Sequence, residues 1–342
     1  MSSKSGRIKA DMQPLPDKTI RMLLETEEEI FNQALGEDHP FRKLNETLNF
    51  EILVEPLREL YSILGQHGVP VTKGFKCLLL QFWEDYSDRQ MEKAVRENFA
   101  IRWFCGFSIS EDTPSYSYFC KLRARIGAER IAEILNTVNQ ELRDQGLFGN
   151  VFHFVDASSL ISKMALWEER DQAIKDGEEK LNNAVVSKYA KDKDAKWGAK
   201  SKNNIWFGFK RHVTVDMRHG LIEKTTVTPA NVPDFKVLDG ICPEQGMVFM
   251  DKLYDCSLAD EAIQANGCVA GTIRKKNNQS KNPELDKWRS KVRMPFEGTF
   301  NRLSKRTRYR GLPKVMFQNI MEVISYNLKK AVVILPTTAV PT

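Results

Sequence analysis

The sequence has no apolar run approaching the roughly 20 residues that a membrane-spanning helix requires, so no membrane contact is expected. Its opening residues, MSSKSGRIKADMQ, are basic but lead into no apolar stretch, which does not match a secretory signal. The six cysteines are scattered at Cys77, Cys105, Cys120, Cys242, Cys256 and Cys268. None forms a CxxC pair, which speaks against a structural zinc site, and their spacing suggests no disulfide framework. Reduced, mostly buried thiols are the plain reading. No internal repeat or low-complexity segment is visible. A soluble, intracellular protein of the cytoplasm is the expectation these absences leave.

What is present fits a globular chain. Its 342 residues allow two domains, or one large core with an appended unit, and 42% of them are apolar. The net charge is only +6, but it is unevenly spread. From Gly271 to Lys314 there are fourteen Lys or Arg against three acids, Glu284, Asp286 and Glu297. Such a local excess is either a solvated face or a surface for a polyanion.

Hydrophobic periodicity divides the chain. Residues 1–44 form a polar extension with one helical stretch, LPDKTIRMLLETEEEIFNQAL. Residues 45–149 read as almost wholly helical. Thr72 is a candidate cap for the helix in VTKGFKCLLLQFWEDY. Ser87 with Gln90 three residues on forms a capping-box pattern. Gly127 closes the helix in TPSYSYFCKLRARIG. Strands and helices alternate through residues 150–335, which reads as an α/β domain. A hairpin is predicted with its turn at 217–220, a helix at 257–265 and a strand at 268–273. Residues 158–203 read as a charged insertion, MPFEGTFNRLS as a helix after a basic loop, and 336–342 as a loose tail.

Three acids stand out. Asp156 directly follows VFHFV and Asp251 directly follows GMVFM, so each is placed at the end of a buried strand, at the sheet edge where α/β sites gather. Glu297 comes from a later helix with Phe296, Phe300 and Leu303 toward the core. Singly, each acid reads as a turn former, a cap or a surface ion-pair partner. Together they offer hard oxygen ligands for Mg²⁺. A metal pair about 4 Å apart can hold both oxygens of an in-line phosphoryl displacement.

The flanking sequence makes the set specific. VDASS, WFGFKRHVTVD, VTPANVPD, FMDKLYD and KVRMPFEGTFNRLSKRTRYRGLPK resemble, in order, the blocks of bacterial insertion-sequence DDE transposases. LLLQFWEDYSDRQMEKAVRENFAIRWFCGF resembles the helical N-terminal domain of the insertion-sequence-five-like group. The resemblance covers roughly residues 45–330, with 95 residues from Asp156 to Asp251 and 46 from Asp251 to Glu297. It implies a ribonuclease-H-like mixed-sheet catalytic core behind an all-helical DNA-binding and oligomerisation domain. It implies catalysis by Asp156, Asp251 and Glu297 with two Mg²⁺ ions, for which Mn²⁺ can substitute. It implies hydrolysis at the element's ends and transfer of the 3′-hydroxyls to target DNA. The implied partners are double-stranded DNA, as terminal inverted repeats and target, and a second copy of the chain when ends are synapsed, in the nucleoid.

The family's glutamate block also carries a tyrosine, an arginine and a lysine. Arg293 matches the arginine, Ser290 stands at the tyrosine position, and Ser304 stands at the lysine position with Lys305 beside it. Pro295 and Gly298, poor helix-interior residues, suggest that the glutamate helix begins near Pro295. Arg293, Arg302, Lys305, Arg308 and Arg310 are candidate phosphate contacts. Lys210 and His212 share a strand face and are further candidates, with a structural histidine as the plainer reading of His212. His153 reads as structural and Asp234 as a helix cap. Trp197 is either a packing residue or, by the resemblance, an aromatic that stacks a flipped base. Lys121, Arg123 and Arg125 belong either to a recognition helix or to a bundle helix with a solvated basic face. Two other classes remain open: a transposon-derived DNA-binding protein without cleavage activity, and a ribonuclease-H-like nuclease that does not join strands.

Overall fold

The computed structural model describes residues 26–31, 34–60, 68–164, 182, 184–201 and 204–335. Most of the predicted N-terminal helix, much of the 158–203 segment and the 336–342 tail lie outside them.

The N-terminal part is helical, as the periodicity predicts. Its main helices are α1 (Pro40–Thr47), α2 (Val71–Trp83), α3 (Asp88–Glu97), α4 (Phe99–Phe104) and α5 (Tyr116–Asp144). Ser87 caps α3 through the expected capping box with Gln90. Thr72 does not cap α2; its hydroxyl donates to Glu51 instead (3.0 Å), and Pro70 occupies the cap position. Gly127, at φ 71° and ψ 177°, breaks α5 into two segments where the sequence placed a helix end.

The C-terminal part is built on one mixed sheet. β1 (Phe152–Ile161) pairs antiparallel with β3 (Asn204–Asp216) and parallel with β5 (Met247–Met250), which pairs parallel with β6 (Val269–Thr272). β4 (Leu221–Pro229) takes positions 209–216 of β3, and β2 (Lys196–Ser201) takes positions 204–208. The order β4-β3-β1-β5-β6, three antiparallel strands followed by two parallel ones, is the expected ribonuclease-H-like sheet. Helices α6 (Ser257–Ala265), α7 (Pro283–Glu297) and α8 (Leu312–Ile334) follow.

Each sheet face has its own core. Phe154, Val213, Val215, Leu221 and Ile222 share one apolar cluster with Ile320 and Ile324 of α8 and with Leu78, Ile134 and Val138 of the helical part. The opposite face buries Val155, Val248 and Met250 against Leu238, Ile241 and Ile263. Helix α8 therefore joins the two parts of the chain. It is tied down by a buried polar set. Arg211 of β3 pairs with Glu322 and donates to Asn319 and to the Ser304 carbonyl (3.2 Å), while Asn327 links Asn139 of α5 to the Ile222 carbonyl. Buried polar groups satisfied in this way fix one packing arrangement.

Candidate active site

Strands β1 and β5 are in register at Phe152↔Met247, His153↔Val248 and Phe154↔Phe249. That offset is 95 residues, the same as the separation of Asp156 from Asp251. Carried two positions past the last paired residues, the same register reaches Asp156 and Asp251, and the Asp251 charge acts on the Asp156 carboxyl. Gly246 helps to fix this register. It lies at φ 93°, and a side chain there would fall 2.5 Å from the Val151 carbonyl oxygen, which accepts from Met247 N–H at the start of β5 (2.8 Å).

The two acids differ in setting. Asp251 follows the last residue of β5, as predicted. Its Oδ1 accepts from Leu253 N–H (2.6 Å) and caps the 3-10 turn Lys252–Tyr254. Asp156 is not at a strand end. β1 continues through Ser158, Ser159, Leu160 and Ile161, because β3 still pairs with it as far as Gly208. On its other side, β5 has already stopped. Asp156 therefore lies on a stretch of β1 edge between the end of β5 and the bridge from Ile161 to Arg306.

Burial pushes the Asp156 carboxyl up to about 6; the Asp251 charge adds to this, while the Ala157 N–H (2.8 Å to Oδ1), Arg293 and Lys200 oppose it. Tyr254 adjoins the pair. Its phenol is fully buried with no hydrogen-bond partner among the described residues. Burial raises its pKa well above the usual value, and Asp234, Asp156 and Asp251 raise it further.

Glu297 is the last residue of α7, not near the start of a helix. The helix begins fourteen residues earlier, where the Asn282 side chain accepts from Glu284 and Leu285 N–H and Pro283 takes the first position. Pro295 is accommodated near the helix end, and Gly298 opens a 3-10 turn (Gly298–Arg302). The Glu297 side chain is half exposed and pairs with Arg293 (2.9 Å). The Arg293 guanidinium, nearly buried, lies 5.4 Å from the centre of the Phe154 ring, two residues before Asp156 on the same strand face. Arg293 thus stands between the glutamate and the aspartates. Among the described residues, no three His, Cys, Asp or Glu are grouped closely enough to hold a metal ion as they stand.

The aspartate pair nevertheless suits a divalent cation. Two hard carboxylates adjoin at a sheet edge. The Asp251 charge disfavours ionisation of Asp156, whose carboxylate accepts a single hydrogen bond, from Ala157 N–H. A cation satisfies that charge; an apolar or anionic group does not.

The other candidates fall into two groups. Lys210 is held by Asp234 (2.8 Å) and the Val232 carbonyl (2.9 Å). His212 is buried with Nε2 2.8 Å from Thr228 Oγ1, so its structural reading holds. Both lie on the sheet face opposite Asp156. Asp234 is a partner of Lys210 and not a cap, since Pro233 takes that position. His153 is buried 3.2 Å from Glu223. Trp197 packs in the core against Phe207. Arg123 is nearly buried in a fork to Asp88 (2.7 Å at both oxygens) and lies over Tyr309. Lys121, Arg125, Arg302, Lys305 and Arg310, by contrast, are exposed. Arg308 pairs with Asp85 and donates to the Tyr86 carbonyl (2.9 Å).

Sequence reasoning missed Tyr254, although it stands in the FMDKLYD block, and Arg211, although WFGFKRHVTVD contains it. A charged residue inside an apolar strand was the available signal for Arg211.

A family model described as a transposase domain matches residues 29–125, and one described as a transposase DDE domain matches residues 175–328. Asp251, Arg293 and Glu297 lie within the second match, and Asp156 precedes it. No solved structure matches the chain.

Proposed function

The chain belongs to the insertion-sequence DDE transposases, and we propose that Asp156, Asp251 and Glu297 form its catalytic set, cleaving DNA at the ends of a mobile element and joining the freed 3′-hydroxyls to target DNA. The observation that carries this reading is the shared 95-residue offset, which brings Asp156 beside Asp251 on neighbouring parallel strands.

The residues have separable tasks. Asp156 and Asp251 would hold the divalent metal that this family uses, with Glu297 completing the set once it exchanges Arg293 for the aspartates. Bound there, the metal supplies Lewis-acid stabilisation of charge developing on the phosphoryl oxygens. Arg293, freed of Glu297, has a planar fork of donors suited to a non-bridging phosphate oxygen. Its position over Phe154 keeps that fork near Asp156, two residues on along the same face of β1. No covalent protein–DNA intermediate is needed, because water and then a 3′-hydroxyl serve as nucleophiles. Mg²⁺, with Mn²⁺ as substitute, two ions per site, the terminal inverted repeats as substrate and a dimer at synapsis are parts of the same proposal.

The test is cleavage and strand transfer on a duplex carrying the element's own end. Asp156→Asn, Asp251→Asn and Glu297→Gln should each abolish both reactions while retaining DNA binding. Full activity in any one of them removes that residue from the set. Loss of strand transfer alone, with hydrolysis intact in the wild type, would favour the nuclease reading.

A further inference from the structure

Two clefts run between the helical part of the chain and the catalytic sheet. One, of about 890 Å³, is walled by the start of α3 with Tyr86 and Tyr116 on one side and by Lys163 and Ser304–Tyr309 on the other. The second, of about 900 Å³, lies beside Trp83 and α8 and is lined by Phe296, next to Glu297 in the chain, and by Asn301–Ser304. Asp85, Ser304 and Arg308 line both, so the clefts meet there.

The charges in the first cleft are one-sided. Arg89, Lys163, Lys305 and Arg306 are exposed and make no ion pair among the described residues. The acids that line it are already taken. Asp88 is held by the Arg123 fork, which keeps its carboxyl below the usual range despite burial, and Asp85 is paired with Arg308. Arg89 also lies over the exposed Tyr116 ring (4.6 Å). Four unpaired cations facing each other across a groove favour a polyanion.

The groove is also fixed relative to the proposed site. Ile161 N–H donates to the Lys305 carbonyl (2.9 Å) and Thr307 N–H to the Ile161 carbonyl (2.8 Å). The basic segment is thereby anchored to β1 five residues beyond Asp156, roughly 17 Å along the strand. That distance is about five base pairs of duplex.

The junction holds one further feature. Asp85 is largely exposed, at 81% of its side chain, and has a left-handed backbone, φ 58°. Its carboxylate sits on the Arg308 guanidinium, which is only one-fifth exposed and is oriented by the Tyr86 carbonyl and the Phe82 ring (4.8 Å). A mostly covered, oriented guanidinium paired with an exposed acid is a phosphate position with an internal anion on it.

We propose that the two clefts form one track for the sugar-phosphate backbone of DNA, running from Phe296, beside Glu297 in the chain, to the start of α3, and that Arg308 becomes its central phosphate contact when DNA displaces Asp85. This rests on the transposase reading above and adds the path of the bound DNA across the helical part.

The test is equilibrium binding of the full chain to a fluorescein-labelled 20-base-pair duplex of arbitrary sequence, in EDTA, across a series of NaCl concentrations. Lys305→Gln and Arg306→Gln should each weaken binding and lower the slope of log Kd against log[NaCl] by about 0.9. Asp85→Asn should tighten binding about two- to fivefold, the worth of an exposed ion pair no longer competing. Asparagine tolerates the left-handed backbone as well as aspartate does, and a gain in affinity cannot come from misfolding. Lys236→Gln, an exposed lysine beyond the opposite sheet face, should leave the slope within error. If the wild type binds but Asp85→Asn binds no tighter, or Lys236→Gln lowers the slope as much as Arg306→Gln, the track is wrong and the transposase reading stands. If the wild type does not bind DNA even at low salt, both fall.

Discussion

The register that pairs Phe154 of β1 with Phe249 of β5, carried two residues further, leads to Asp156 and Asp251, and the Asp251 charge raises the Asp156 pKa. Two carboxylates so placed repel each other until a cation arrives. Without metal, Asp251→Asn should therefore raise the melting temperature slightly. With millimolar Mn²⁺, the wild type should gain stability by mass action, about 2.7 kcal/mol at a hundred times the dissociation constant, and the variant should gain little. Differential scanning fluorimetry with and without Mn²⁺ reads both effects. An equal Mn²⁺ shift in both proteins would place the cation elsewhere.

Arg293 links Glu297 to the Phe154 side of β1. Replacing it by Gln removes the charge and the fork, and should lower cleavage roughly a hundredfold, the range for losing one preorganised donor at developing charge. Arg293→Lys should rescue little, since an ammonium lacks the planar fork of donors that a guanidinium offers to phosphate. Single-turnover cleavage on the element's end measures this, and near-wild-type rates in Arg293→Lys would reduce Arg293 to a simple positive charge.

The pair Arg211–Glu322 is buried at the junction of β3 and α8, with Asn319 and the Ser304 carbonyl completing the donors' partners. Glu322→Ala leaves the guanidinium buried and unpaired, and should cost about 3–5 kcal/mol. The double replacement Arg211→Met with Glu322→Leu should recover most of that loss, since no charge then stays buried. Urea unfolding of the three proteins decides it. Because the same pair holds Ser304, the double variant should also loosen the 304–310 segment and raise its hydrogen-exchange rates.

Much of this architecture was legible from local pattern. The hairpin with its turn after Asp216, the helix Ser257–Ala265 and the capping box at Ser87 follow from alternation, helical spacing and one Ser–Gln pair. The failures share a cause. The extension of β1 beyond Asp156 depends on pairing with β3, about fifty residues away, which polar Ser158 and Ser159 do not announce. Helix α7 was hidden by its charge, although Asn282, Pro283 and Glu284 spell a helix start. The adjacency of Asp156 and Asp251 follows from strand ends only if those strands neighbour each other, which is a matter of topology. The Arg308–Asp85 contact, between residues 223 positions apart, has no local signature at all.

Tyr254 carries a buried hydroxyl with no partner among the described residues. Such a group costs stability relative to its apolar isostere. Tyr254→Phe should therefore raise the unfolding free energy by about 1 kcal/mol, measured by urea denaturation in EDTA. A loss of stability would mean that the hydroxyl has a partner in solution, with Asp234, Asp156 and Asp251 the acids whose charges reach it.

His212 supplies a pH dependence that is independent of the acids. Burial lowers its pKa to about 4, helped by Lys210 and opposed by Asp234. In the unfolded chain it titrates near 6.5. Between these values the unfolded state takes up a proton that the folded state refuses, so stability falls as pH drops from about 6.5 toward 4. The full contribution is present above pH 6.5 and amounts to something on the order of 3 kcal/mol. His212→Gln keeps a polar partner for Thr228 (2.8 Å from the imidazole) but cannot titrate. Unfolding free energies at pH 7 and pH 4.5 should therefore differ less in the variant than in the wild type, the carboxylates contributing alike to both. An unchanged difference would show that the imidazole is protonated in the folded protein, and the bond to Thr228 would then run from a charged donor.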